Sequence, residues 1–368
     1  MRGCCLISIK GFFMKFVIPH GHWPKILAVF TITLLSACSG NEGSSAQEGS
    51  DLAAMDGDDV VTVYSARAEH LIEPLFDKFT AETGIEVRYI TDTEAALIAR
   101  LQTEQERTPA DALLTVDAGN LWHASDAGML QPIDSEIIQA NVPANLRASD
   151  DTWAALSIRA RTIAYNTDRL DPSELSTYED LADDRWHGRL CLRTSAKVYN
   201  QSLVASMIAT LGEQEAEEVV SGWVNNLAVD PMSSDTTTIQ AVEAGVCDVA
   251  IVNNYYFGRL EAENPDIPVA LFWPNQNGRG VHINVSGMGV TRYAKHPELA
   301  RQLIEWLSAE EAQRDFAGLN KEYPVNPAVE AVPEVQAWGD FKRDALNVEQ
   351  LGALQADAIR LMDRAGYR

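Results

Sequence analysis

Basic charge is scarce in this chain of 368 residues. Lys and Arg number 29 against 53 Asp and Glu, for a net charge of −24. A phosphate-binding footprint needs the opposite balance, so nucleic acid is excluded as a partner. Acidity also serves solubility and by itself names no ligand. Catalytic signatures are missing too. There is no His-Glu-x-x-His, no Gly-x-Ser-x-Gly and no Gly-x-x-x-x-Gly-Lys, and the 7 histidines sit outside any motif. The chain therefore reads as a binder, not an enzyme. Cysteine is equally sparse, at 5 residues with no Cys-x-x-Cys spacing, which argues against a thiolate metal site.

What is present at the amino terminus is an export signal. Arg2, Lys10, Lys15 and Lys25 precede or flank the apolar run Ile26 to Ala37, broken only by Thr31, Thr33 and Ser36. That run is shorter than the roughly 20 residues needed to span a bilayer and suits a signal peptide. It leads into Leu35-Ser-Ala-Cys38, which resembles the bacterial lipobox, so Cys38 is expected to carry lipid and begin the mature chain. Met14 offers an alternative start, since Met14 to Cys38 is a complete signal by itself. Residues 1–37 form the signal and 38–59, rich in Gly, Ser and acids, a flexible tether. Such a protein is expected in the periplasm, held to a membrane by its lipid. Only Cys191 and Cys247 remain in the body, and an even pair in an oxidising compartment suggests a disulfide.

From Val60 onward strand and helix signals alternate. Val60 to Tyr64, Ile85 to Ile90 and Asp111 to Val116 read as strands, separated by apolar helical spacing over Glu69–Thr83 and Glu94–Glu106. This order predicts a parallel sheet covered by helices. A second set follows. Thr152–Tyr165, Arg189–Arg193, Val249–Val252 and Val269–Phe272 read as strands, with helices near Gln201–Leu211, Glu213–Asn226 and Thr237–Ala244. His282–Val290 reads as a strand returning to the first set, and the last stretches, Pro297–Leu307 and Val348–Arg364, are helical. The expectation is α/β, with a first lobe over 60–155 plus about 282–345, a second over 156–281, and a terminal helix in 346–368. Two lobes joined by extended crossovers is the architecture of bacterial solute-binding proteins, which close on a ligand by hinge motion.

Tyr255 and Tyr256 fall where the apolar strand Val249–Val252 ends. Ligands of open α/β sheets bind at such strand ends. Phenolate oxygen is a hard donor suited to a hard cation such as Fe3+. Aromatics also pack well at strand ends, so the pair alone leaves both readings open. In Ser157-Ile-Arg-Ala-Arg-Thr-Ile-Ala-Tyr165, strand alternation puts Arg159, Arg161, Ile163 and Tyr165 on one face. That face suits either a polar cleft or solvent.

Several stretches, in their order and spacing, resemble the periplasmic ferric-iron-binding proteins of ABC transporters. They are Val63-Tyr-Ser-Ala-Arg67, Pro109-Ala-Asp111 with Val116-Asp-Ala-Gly119, Arg159-Ala-Arg161 with Tyr165, Val198-Tyr-Asn-Gln-Ser-Leu-Val-Ala-Ser206, Asn253-Asn-Tyr-Tyr256, and Asn277-Gly-Arg-Gly280 with Ser286-Gly287. The resemblance runs from Val60 to the last helix. It implies the type II periplasmic-binding-protein fold, with hinge crossovers and a ligand cleft between the lobes. It further implies that Tyr165, Tyr255 and Tyr256 hold Fe3+ as tyrosinates, while Arg67 and Arg161 hold a synergistic anion such as carbonate. Arg159 and Tyr64 stand as further candidates. Relatives carry His or His-Tyr where this chain has Ala68 and Glu69. Ala68 cannot ligate, and Glu69 reads first as a helix-start acid and second as a carboxylate ligand. Cys191 and Cys247 match a pair seen in one branch of the family. The implied partners are an ABC permease and its ATPase, with the protein a monomer. The rival reading is a solute-binding protein for a polyamine, thiamine or organic anion, with the arginines on carboxylate or phosphate and the tyrosines stacked on the ligand.

Overall fold

The computed structural model describes residues 59–368. The signal, Cys38 and nearly all of the tether lie outside the described residues. Among the described residues nine strands are joined by pairing: β1 (Val60–Ser65), β2 (Glu86–Thr91), β3 (Ala112–Thr115), β4 (Leu130–Gln131), β5 (Ala154–Asn166), β6 (Leu190–Cys191), β7 (Val249–Asn253), β8 (Val269–Phe272) and β9 (Ile283–Thr291). Their order is β2-β1-β3-β9-β5-β7-β6, with β4 beside β9 and β8 beside β5.

The opening βαβαβ signal is realised as expected. β1 runs parallel to β2 and β3. The helix Glu73–Thr83 has Pro74 in its first turn and stops at Gly84, whose φ of 78° only glycine adopts cheaply. Thr93 caps Glu94–Glu104 and Asp117 caps Ala118–Asp126, each side chain accepting from a first-turn amide. β9 then returns antiparallel to β3 and carries the chain back to this half.

β5 is the element that divides the molecule. Residues Ala154 to Ala160 pair with β9, whereas Arg161 to Tyr165 pair with β7. Strands twist steadily along their length, so the two ends of so long a strand face different surroundings. Its first half feeds an apolar core built on Val63, Leu113, Trp153, Leu156 and Ile158. Its second half feeds another, where Ile163 meets Tyr178, Trp186, Leu203 and Trp223. The expected terminal helix is two pieces, Glu349–Ala353 and Gln355–Arg364. Leu351 packs in the first core and Leu361 in the second, so this segment straddles both halves. At the join, Gln355 Oε1 meets His123 Nε2 at 2.7 Å and Gln355 Nε2 donates to Gln201 at 2.9 Å.

Cys191 and Cys247 are joined, their Cα atoms 5.9 Å apart and 56 residues apart in sequence. The loop they close contains the helix Val198–Leu211 but ends before β7. Replacing both cysteines with Ala is expected to cost about 2–4 kcal/mol of unfolding free energy, as for most native bridges. Urea unfolding of oxidised and reduced protein checks this. A difference below about 1 kcal/mol counts against a structural role.

Candidate functional site

Three phenols meet in one cavity of about 210 Å³. Two are Tyr255 and Tyr256, in the first turn of the helix Asn254–Glu263 that follows β7 directly. The third is Tyr199, in the first turn of Val198–Leu211. Side chains on a helix lean toward its amino end, so all three hydroxyls sit near helix amino termini. The positive end of a helix dipole favours anions there, which suits a phenolate. The rings of Tyr255 and Tyr256 lie 4.4 Å apart between centroids. Tyr199 and Tyr255 are 7% and 4% exposed, and Tyr256 is half-buried.

Burial, the largest effect, pushes the Tyr199 hydroxyl up to about 12, against the pull of Arg159. The same desolvation, reinforced by the charges that Tyr199 and Tyr256 would carry, raises Tyr255 well above the ordinary phenol range. Without cargo these two phenols are therefore protonated at neutral pH. Only a strong Lewis acid can displace protons held so firmly, which disfavours weakly polarising cations.

Cations surround the phenols. The Arg159 guanidinium lies over the Tyr199 ring at 5.4 Å and Lys197 Nζ at 4.7 Å. Arg259 lies 5.2 Å from the Tyr255 ring centroid. Arg193 donates to the Tyr256 hydroxyl at 3.4 Å. Arg67 and Arg159 both donate to Ser286 Oγ, at 2.9 and 3.0 Å. Glu322 sits between them, 3.1 Å from Arg67 and 3.8 Å from Arg159. Burial raises the Glu322 carboxyl, but the two arginines, Ser157 and Asn320 outweigh it and hold it below the usual range. This buried trio keeps one positive charge in excess. Among the described residues, Arg67 Nε and Nη2 and Arg159 Nε have no hydrogen-bond partner. Buried donors without acceptors are costly, so the cluster could accept an anion. Across the whole cavity lining, Arg67, Arg159, Lys197 and Arg259 outnumber Glu94 and Glu322 by two charges.

The expected residues divide sharply. Tyr255, Tyr256, Arg67 and Arg159 line the cavity. Tyr165 does not: it stands opposite Val249, at the start of β7, while Tyr255 follows that strand's far end. Four residues along a strand is about 13 Å. Its half-buried ring packs on the second core. Arg161 is likewise elsewhere, held by Asp235 at 3.1 Å, Asn253 at 2.9 Å and the Ile251 carbonyl at 3.1 Å. Glu69 is exposed and accepts from the Tyr89 hydroxyl at 3.2 Å. Tyr64 donates to Glu104 at 2.8 Å, away from the cavity. Tyr199 was the residue that strand-based reasoning missed, although the stretch beginning at Val198 was among those carrying the resemblance.

Comparison with known proteins gives a consistent set. Residues 74–343 match the family model for bacterial extracellular solute-binding proteins. The chain is 43% identical to iron uptake protein A1 of Synechocystis sp., over 84% of this chain and 87% of that one. It superposes on a Trichodesmium protein solved in complex with iron and citrate ligands, with a TM-score of 0.81 and 44% identity, covering 84% of this chain and 100% of that one. A ferric binding protein from Campylobacter jejuni gives 0.78 at 33% identity, with 84% and 100% covered.

Proposed function

The chain belongs to the bacterial extracellular solute-binding protein family, and from that premise we propose that it captures ferric iron for an ABC permease. The fold is the type II periplasmic-binding-protein fold. The carrying observation is the meeting of Tyr199, Tyr255 and Tyr256 in one cavity. Tyr199 takes the place first expected of Tyr165, and Arg159 that expected of Arg161. Three phenolates replace three protons by Fe3+ with no net change of charge. The cavity's cationic excess then accepts a synergistic anion, carbonate or a small carboxylate such as citrate, on the free N–H groups of Arg67 and Arg159. β5, which passes from one core to the other, and the chain that leads into β9 act as hinges, and the halves built on those cores are lobes that close over the ion. The protein works as a monomer, binding and releasing without chemistry.

Iron loading in bicarbonate or citrate tests this. One ferric ion should bind, give a visible phenolate-to-iron band and release close to three protons, measured by pH-stat. Because each phenol surrenders a proton, affinity should fall as pH falls, by up to about tenfold per proton for each pH unit. A colourless protein that takes up no Fe3+ with either anion overturns the reading.

Periplasmic placement agrees with the family, and lipid on Cys38 would tether the receptor beside its permease and raise its local concentration. Labelled fatty acid should enter the parent chain and not Cys38→Ser. Equal labelling of both, or of neither, overturns the anchor.

A further inference from the structure

All three phenols reach the cavity from helices rooted in the second half. The first half contributes Ala66, Arg67, Ala68, Leu71, Glu94 and Val116, with Asn320 and Glu322 from the segment beside β5. Of these, only Glu94 and Glu322 carry an anionic oxygen. Glu322 is already occupied: it binds Arg67 and accepts from Ser157 and, at 2.6 Å, from Asn320. Glu94 makes no hydrogen bond or ion pair with the described residues and is half-buried at the cavity wall. It opens the helix Glu94–Glu104, whose Thr93 cap fixes the first turn and whose dipole favours a carboxylate there. Lys197 and Arg259 line the same cavity and also make no ion pair among the described residues.

We infer that Glu94 is the first half's ligand to the bound ferric ion. Its carboxylate adds a hard oxygen to three phenolates and so links the two halves through the metal. Lys197 and Arg259 offset the extra negative charge. The inference rests on the ferric reading above, but its test is separable. A site whose protein donors all come from one half is tied to the other half only through the anion on Arg67. A fourth donor from the other half makes closure part of binding, because the ligand gained on closing is the differential contact that any such shift requires.

The experiment is Glu94→Gln in the otherwise unchanged chain, with Glu94→Asp beside it. Three readings are taken. They are ferric affinity by chelator competition, the position of the phenolate-to-iron band, and the radius of gyration with and without iron. The parent should contract on loading. Glu94→Gln should still bind iron through its phenols, but at least 10-fold more weakly, a loss no smaller than that of an outer-shell partner. Its band should move to longer wavelength, because a neutral amide leaves the iron more electron-poor. It should also contract less than the parent. Glu94→Asp should recover part of each effect. An unchanged band overturns the assignment even if affinity falls, since that pattern marks an ion-pair latch to Lys197 or Arg259. Equality with the parent in all three readings overturns it as well. Failure of the parent to take up iron would instead sink the ferric reading. Glu94 is a half-buried first-turn side chain without side-chain partners among the described residues, so parent-like thermal unfolding is expected and confirms that folding is intact.

Discussion

Tyr199→Phe is expected to lower ferric affinity by at least 100-fold and to bleach a large part of the visible band, while Tyr165→Phe changes neither. Losing an outer-shell partner already costs 10–100-fold at metal sites, and Tyr199 stands in the cavity itself. Removing its hydroxyl deletes one of three charge-neutralising donors and leaves the ring's packing in place. Tyr165, opposite Val249 and packed on the second core, has no path to the same ion. Both variants should unfold like the parent. Chelator competition and an absorption spectrum decide between them. If Tyr165→Phe bleaches the band and Tyr199→Phe does not, the placement of the site is wrong.

The second large effect concerns Arg161. Arg161→Leu should destabilise the fold by about 3–5 kcal/mol, the usual cost of stranding one partner of a buried ion pair. Among the described residues, Asp235, fully buried, would keep only the longer contact to Arg193 at 3.7 Å and the Asn253 backbone N–H at 3.0 Å. Urea unfolding measures the loss. At temperatures where the variant remains folded, its dependence on bicarbonate or citrate should match the parent's. A stable variant with altered anion dependence would return Arg161 to the anion site.

The sequence made the strands around both cores legible because apolar runs and helical spacing are local. Gly84 ended its helix where a left-handed residue was needed, and Tyr255 and Tyr256 followed β7 as its apolar run implied. Tyr165 misled because alternation assumes one set of neighbours along a strand. β5 changes partners between Ala160 and Arg161, so residues sharing a nominal face serve different halves. Tyr199 stayed hidden for another local reason. Its helix starts at Val198 behind Lys197, which forms no side-chain cap, so no start signal preceded it and the spacing suggested Gln201 instead. Asp235, the partner that removes Arg161 from the cleft, is 74 residues away, beyond any periodicity argument. Glu104, which claims the Tyr64 hydroxyl, is 40 residues away and equally silent.

The broken terminal segment bears on how far the protein can travel between its states. Leu351 is seated in one core and Leu361 in the other, and Gln355 grips a helix from each side at the break. The crossing of β5 and the chain entering β9 would by themselves let the halves yaw and slide as well as swing. If the halves close over iron as proposed, a third attachment at this segment would narrow the motions open to them, toward rotation about one axis. A transporter that must tell a full receptor from an empty one then meets two orientations of a single angle. Discrimination by so narrow a cue is compatible with a docking surface that touches both halves at once.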